Sequence, residues 1–192
     1  MKKIVFASSN NHKFNEVKDL FKDTGIEIIQ PPQGFDPDET GLTFQENSYI
    51  KAKEAALLTG MVAFADDTGL EIEALDGRPG IYSARYAETD ELKIEKILDE
   101  LKNISKEKRQ AKFTCSMSVV APAGEKLFET LGVCEGFIVK EVSGTNGFGY
   151  DPIFLVSELN KTMAELTMDE KNQVSHRARA FKQLLQWIET QD

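Results

Sequence analysis

Residues 110–121 and 126–142 form two long strand-like runs that meet at the turn sequence Pro122-Ala123-Gly124-Glu125. A hairpin of this length commits the middle of the chain to antiparallel pairing. The residues before it instead alternate short apolar strands with helical periodicity. Lys3-Ile4-Val5-Phe6-Ala7-Ser8 reads as a short buried strand, and Phe14, Val17, Leu20 and Phe21 then recur at helical spacing. The segment 31–42, with three prolines and two glycines, is a loop. Thr43 with Glu46 fits a capping box, which predicts a helix from there to about Thr59, before Gly60. Residues 61–65 form a compact strand that ends at Asp66-Asp67-Thr68-Gly69, so the acidic pair is expected at a strand terminus. After a loop over 76–87, Leu92, Ile94, Ile97, Leu98 and Leu101 mark an amphipathic helix. Residues 144–151 are a glycine-rich loop, 153–156 a short strand and 175–188 a closing helix. Strand–helix alternation interrupted by a hairpin implies an α/β protein with an elongated mixed sheet and flanking helices.

The net charge of −9 weighs against a nucleic acid polymer, whose binding requires clustered cations, but leaves a single nucleotide open. No apolar run is long enough for a signal-peptide core or a membrane span, so a soluble, cytoplasmic protein is expected. Cys115 and Cys134 lie in apolar strands without CxxC spacing and read as reduced core thiols.

Four segments could carry chemistry. Ser8-Ser9-Asn10-Asn11-His12-Lys13 joins a strand to a helix, where free N–H groups and the helix dipole favour an anion; an asparagine N-cap beside a solvated lysine is the plain structural alternative. Asp66-Asp67 invites a hard cation, magnesium above all, with Asp38 and Glu39 as further carboxylates; the alternative is a solvated acidic turn. Gly147-Phe148-Gly149-Tyr150-Asp151 sets two aromatics one residue apart. They could grip a planar base by stacking or fold back onto the core. Lys171 and Ser175-His176-Arg177 supply donors suited to oxo groups and phosphate, or else an N-cap with exposed basic residues.

Together with Glu39-Thr40-Gly41-Leu42-Thr43-Phe44, Glu46-Asn47, Lys51-Ala52 and Pro79-Gly80-Ile81-Tyr82-Ser83-Ala84-Arg85-Tyr86, these segments make the chain resemble the Ham1-like family of inosine triphosphate pyrophosphatases over nearly its whole length. Ser8-Ser9-Asn10 departs modestly from the family's Thr-Gly-Asn or Thr-Ser-Asn while keeping the hydroxyl. The resemblance implies two lobes with the active site in a central cleft, a homodimer, and hydrolysis of non-standard purine triphosphates (ITP, dITP, XTP) to monophosphate and pyrophosphate. It implies Asp67 as general base, Glu39 and Asp67 as Mg2+ ligands, and Asp66 and Asp38 as their neighbours. Ser8, Ser9, Asn10, Asn11, His12, Lys13 and Lys51 hold the triphosphate on this reading, with Thr68 beside it. Phe148, Gly149 and Tyr150 border the base, and Asp151, Lys171, His176 and Arg177 read its edge. A non-catalytic nucleotide-binding module, or a metal-dependent nucleotidyl- or glycosyltransferase, are the competing classes.

Overall fold

A computed structural model describes residues 3–191. Its elements in chain order are β1 (Lys3–Phe6), α1 (Asn11–Leu20), β2 (Glu27–Ile29), α2 (Phe44–Thr59), β3 (Ala63–Ile72), α3 (Asp90–Glu100), β4 (Gln110–Val120), β5 (Lys126–Ile138), β6 (Phe154–Val156), β7 (Lys161–Thr162), α4 (Met168–Val174) and α5 (His176–Glu189). The strands hydrogen-bond in the order β2-β1-β3-β4-β5-β6-β7. The pairs β1–β2 and β1–β3 are parallel, whereas β5–β6 and β6–β7 are antiparallel, so the sheet is mixed as expected. Two backbone bonds across the 121–125 turn, from Ala121 N to Glu125 O and from Gly124 N to Ala121 O, close the anticipated hairpin between β4 and β5.

The helix ends follow from local chemistry. Thr43 Oγ1 accepts from Glu46 N at the start of α2, and Gly60 ends the helix at φ 65°, in the left-handed region that glycine enters without a Cβ penalty. The capping box is not closed on the cap residue itself, because Glu46 Oε2 accepts from Leu42 N instead. Two of the expected strand ends need correcting. β3 does not stop at the acidic pair but runs on through Asp66 and Asp67 to Ile72, so the two carboxylates sit in mid-strand. In addition, β5 ends at Ile138 rather than at 142.

The chain divides into two compact units, the first comprising 1–67, 115–132 and 177–192, and the second 68–114 and 133–176. Within the first unit the pleat sends alternate residues to opposite faces of the sheet. Val5, Ala7, Ala63 and Ala65 pack with Ala52, Ala55 and Ala56 of α2, where small side chains let helix and strand approach closely. Ile4, Phe6 and Phe64 pack on the other face with Val17 and Phe21 from α1 and its C-terminal end, and with Phe181, Leu184 and Ile188 of α5. Each fully buried phenylalanine here is worth roughly 1.5–3 kcal/mol of burial. The second unit has its own core of Leu70, Ile72, Ile97, Leu101, Phe113, Ile153, Phe154 and Met163. Cys115 and Cys134 are buried free thiols in these cores, as read. Among the described residues, no helix is long and apolar enough to cross a membrane.

Candidate active site

The same alternation separates the two adjacent aspartates. Asp67 follows Ala63 and Ala65 onto the α2 face, whereas Asp66 follows Phe64 onto the face shared by α1 and α5. The solvated acidic turn is thereby excluded, since both carboxylates are buried in mid-strand and on opposite faces. Each has its own partners.

On the α2 face, Lys51 Nζ lies 3.1 Å from Asp67 Oδ1 and 2.7 Å from Glu39 Oε1, so a single ammonium bridges a strand carboxylate and a loop carboxylate. Asn47, one helical turn before Lys51, donates from Nδ2 to Asp67 Oδ2 at 3.2 Å and accepts at Oδ1 from Gly41 N at 2.8 Å. Gly41 has to be glycine here, because a Cβ would stand 2.6 Å from Asn47 Oδ1. Burial raises the pKa of Asp67 above the ordinary carboxylate range, and Lys51 and Lys13 only partly offset it while Glu39 adds to the rise. Burial acts to lower the pKa of Lys51, but attraction from Asp67, Asp66 and Glu39 outweighs it and the net shift is upward. One shared ammonium thus stays charged while Asp67 is left proton-hungry. Asp38 is exposed, and Thr68 is half-buried in β3.

On the α1/α5 face, Asp66 Oδ2 accepts from Arg177 Nε at 3.3 Å and Nη2 at 3.0 Å, and pairs with Lys13 Nζ at 3.1 Å. Arg177 Nη1 also donates to Glu16 Oε2. Arg177 is 2% exposed. Burial opposes its charge, but Asp66 and Glu16 hold it firmly protonated. Removing one member of such a buried network leaves an uncompensated charge, at a cost of ~3–5 kcal/mol.

The asparagine N-cap expected in the strand–helix segment is present, whereas Lys13 is half-buried and paired with Asp66 rather than solvated. Asn10 Oδ1 caps α1 by accepting from His12 N and Lys13 N, and Ser8 Oγ accepts from Asn10 N. Ser9, Asn10, Asn11 and His12 are nevertheless exposed, Ser8 is half-buried, and the first turn of α1 carries no acidic residue. An anion approaching this helix start meets no acidic residue in the first turn, but Lys13 is already paired with Asp66.

In the second unit the aromatic loop is divided. Tyr150 is 4% exposed, joins the core and donates its hydroxyl to Ser83 O at 2.9 Å. The fold-back reading thus describes Tyr150. Phe148 stays half-buried, with Lys171 Nζ 5.2 Å from its ring centroid. Asp151 Oδ2 accepts from Phe148 N at 3.1 Å and from Lys171 Nζ at 2.7 Å, which makes a buried charged pair directly behind the loop. His176, also buried, stacks on Phe113 with centroids 4.7 Å apart, so the basic residues of 171–177 are not the exposed set that a plain N-cap reading would give.

Asn47 and Glu16 belong to these clusters, although Asn47 enters the sequence reading only within the Glu46-Asn47 motif and Glu16 not at all. Their signal was present as spacing: Asn47 and Lys51 are four apart on α2, and Lys13 and Glu16 three apart on α1, so each pair shares a helix face.

The donor set suits a hard cation. Glu39 and Asp67 bring carboxylate oxygens together on the Lys51 ammonium, while among the described residues no group of three His, Cys, Asp or Glu side chains could hold a metal alone. Magnesium favours such sites, where one or two carboxylates are completed by phosphate oxygens and water.

A family model described as the Ham1 family matches residues 4–187. The dITP/XTP pyrophosphatase of Prochlorococcus marinus (strain NATL1A) is 49% identical over 183 residues, covering 95% of this chain and 91% of its own length. The dITP/XTP pyrophosphatase of Bacillus subtilis (strain 168) is 46% identical over 195 residues, covering 98% of each chain. Among solved structures, the Ham1 protein of Staphylococcus aureus matches with a TM-score of 0.87 at 43% identity, covering 100% of both chains.

Proposed function

The chain belongs to the Ham1 family, and we propose that it hydrolyses the non-standard purine triphosphates ITP, dITP and XTP to the monophosphate and pyrophosphate. The observation that carries this reading is Asp67: buried, raised in pKa, oriented by Asn47 and joined through Lys51 to Glu39.

Asp67 serves as the general base. It takes a proton from water as the oxygen attacks the α-phosphorus, and pyrophosphate leaves. Base catalysis of this kind contributes ~100- to 10,000-fold. Glu39 and Asp67 would hold Mg2+, which when bound supplies charge neutralisation along the triphosphate and the leaving pyrophosphate. Lys51 neutralises the phosphates from the same face, and Lys13 does so with the side chains of 8–12. Asp66 takes no proton in this scheme. It fixes Lys13 against Arg177, which explains why a carboxylate is tolerated beside an anion site.

Phe148 offers a face to the purine, with Lys171, Asp151 and His176 as the groups that read its edge. Arg177 is committed to Glu16 and Asp66. A site built around donors favours a 6-oxo group over the 6-amino group of adenine, because a buried donor left facing another donor costs ~1–3 kcal/mol. Two such mismatches supply ~100-fold discrimination. A homodimer is part of the same reading, supported by family membership, and sedimentation of the purified protein tests it. The decisive experiment is a nucleotide panel with Mg2+ scored for pyrophosphate. ITP or XTP should exceed ATP in kcat/KM by at least ~100-fold, and equal rates on all purines would refute the assignment.

A further inference from the structure

The loop carrying Phe148 is held by carboxylates on both sides of that residue. Gly144, Gly147 and Gly149 all have positive φ, at 84°, 77° and 61°, so the backbone follows a path that only glycine takes freely. Such a path is not self-supporting. Its start is tied down where Thr145 N and Asn146 N donate to Ala164 O, and Asn146 Nδ2 to Leu166 O. Its end is tied by the Tyr150 hydroxyl on Ser83 O. Between these ties, the N–H of Phe148 goes to Asp151 Oδ2, a contact three residues away. The next N–H, that of Gly149, goes to Asp90 Oδ2 at 2.8 Å, across 59 residues of sequence.

Asp90 has an ordinary explanation as well. It is the first residue of α3, where a negative charge suits the helix dipole, and its Oδ1 pairs with Lys93 Nζ at 2.9 Å. Neither role requires the second oxygen to reach the loop. With both peptide N–H groups flanking the ring committed to carboxylates, the direction in which Phe148 leaves the backbone is fixed before any ligand arrives. Such preorganisation lowers the cost of ordering on binding.

We propose that Asp90 is a positioning residue for base recognition, acting as a latch through the Gly149 N–H to hold Phe148 ready for the purine. The proposal rests on the reading of this loop as the base site. It touches neither the triphosphate nor the attacking water, so its loss falls on KM rather than kcat.

The test compares wild type, Asp90→Ala, Asp90→Asn and Lys93→Ala in steady-state kinetics with ITP and Mg2+, alongside amide hydrogen exchange at Gly149. Asp90→Ala should raise KM about tenfold while changing kcat less than about threefold, with protection at Gly149 lost. Asp90→Asn keeps an accepting oxygen, so KM and protection should stay near wild type. Lys93→Ala removes the ion pair but not the latch and should behave as wild type. Should Asp90→Ala fail to fold, Asp90→Ser keeps a residue favoured at helix starts while withdrawing the reach. Wild-type KM and Gly149 protection in the Ala or Ser variant would overturn the proposal. So would an Asn variant as impaired as Ala, or a Lys93→Ala variant with the same KM rise. If wild type released no pyrophosphate from ITP, the functional reading would fall, while Gly149 exchange would still decide whether the latch exists.

Discussion

Asp66 and Asp67 are covalent neighbours with opposite surroundings. Asp66 meets two cations, Arg177 and Lys13, in a network with Glu16 that holds every charge in place. Asp67 shares the Lys51 ammonium with Glu39, and burial raises its pKa. The pleat of β3 is the whole cause, since it turns one side chain to α1 and α5 and the other to α2. The difference teaches that a carboxylate paired with two cations is a scaffold, while one left undercompensated and buried is suited to accept a proton.

The largest effect should come from Asp67→Asn, which keeps the shape but cannot take a proton. Its kcat on ITP should fall ~100- to 10,000-fold. Its effect on stability should be smaller than that of Asp66→Asn. A carboxylate whose folded pKa lies above its unfolded value adds stability below the unfolded value, and that contribution is lost as pH rises through the folded one. At neutral pH asparagine removes that cost but also removes the attraction that keeps Lys51 charged, so the two changes oppose each other. A variant that retained more than about a tenth of wild-type kcat would remove Asp67 from its role.

Asp66→Asn should show the reverse pattern. Losing the charge that faces Arg177 and Lys13 should destabilise the fold by ~3–5 kcal/mol. The folded fraction should bind ITP more weakly, because Lys13 is no longer aimed, but should keep most of its kcat. Denaturant unfolding and saturation kinetics on both variants would separate the two aspartates. Identical profiles would erase the distinction. A smaller loss is expected for Asn47→Ala, about tenfold in kcat, because one hydrogen bond to a charged group disappears while Lys51 and Glu39 remain. An unchanged kcat would show that Lys51 alone orients Asp67.

Much of this arrangement was legible where the governing chemistry is local. The Thr43 cap, the Gly60 stop and the hairpin turn each depend on residues within a few positions of one another, so the α2 boundaries and the β4–β5 pairing could be read directly. β2 and β7, three and two residues long, are too short to leave a period. α4 carried a signal that was passed over, because Thr167 and Glu170 form a complete capping box. The end of β3 was misplaced for a different reason. Asp-Asp-Thr-Gly has the composition of a turn, and what keeps it extended is long-range compensation, with Lys51 reaching Asp67 from α2 and Arg177 reaching Asp66 from 111 residues away. Pairing of that kind has no local signature. The same holds for Tyr150, whose place in the core depends on Ser83.

The central claim is that burial has made Asp67 a proton acceptor, and a carboxyl-carbon NMR titration of the metal-free protein, with Asp67→Asn assigning the resonance, tests it most directly. Asp67 should titrate above the ordinary 3.8 of an aspartate, because burial outweighs the attraction of Lys51 and Lys13. An Asp67 resonance that titrates at or below the ordinary carboxylate range would contradict the account.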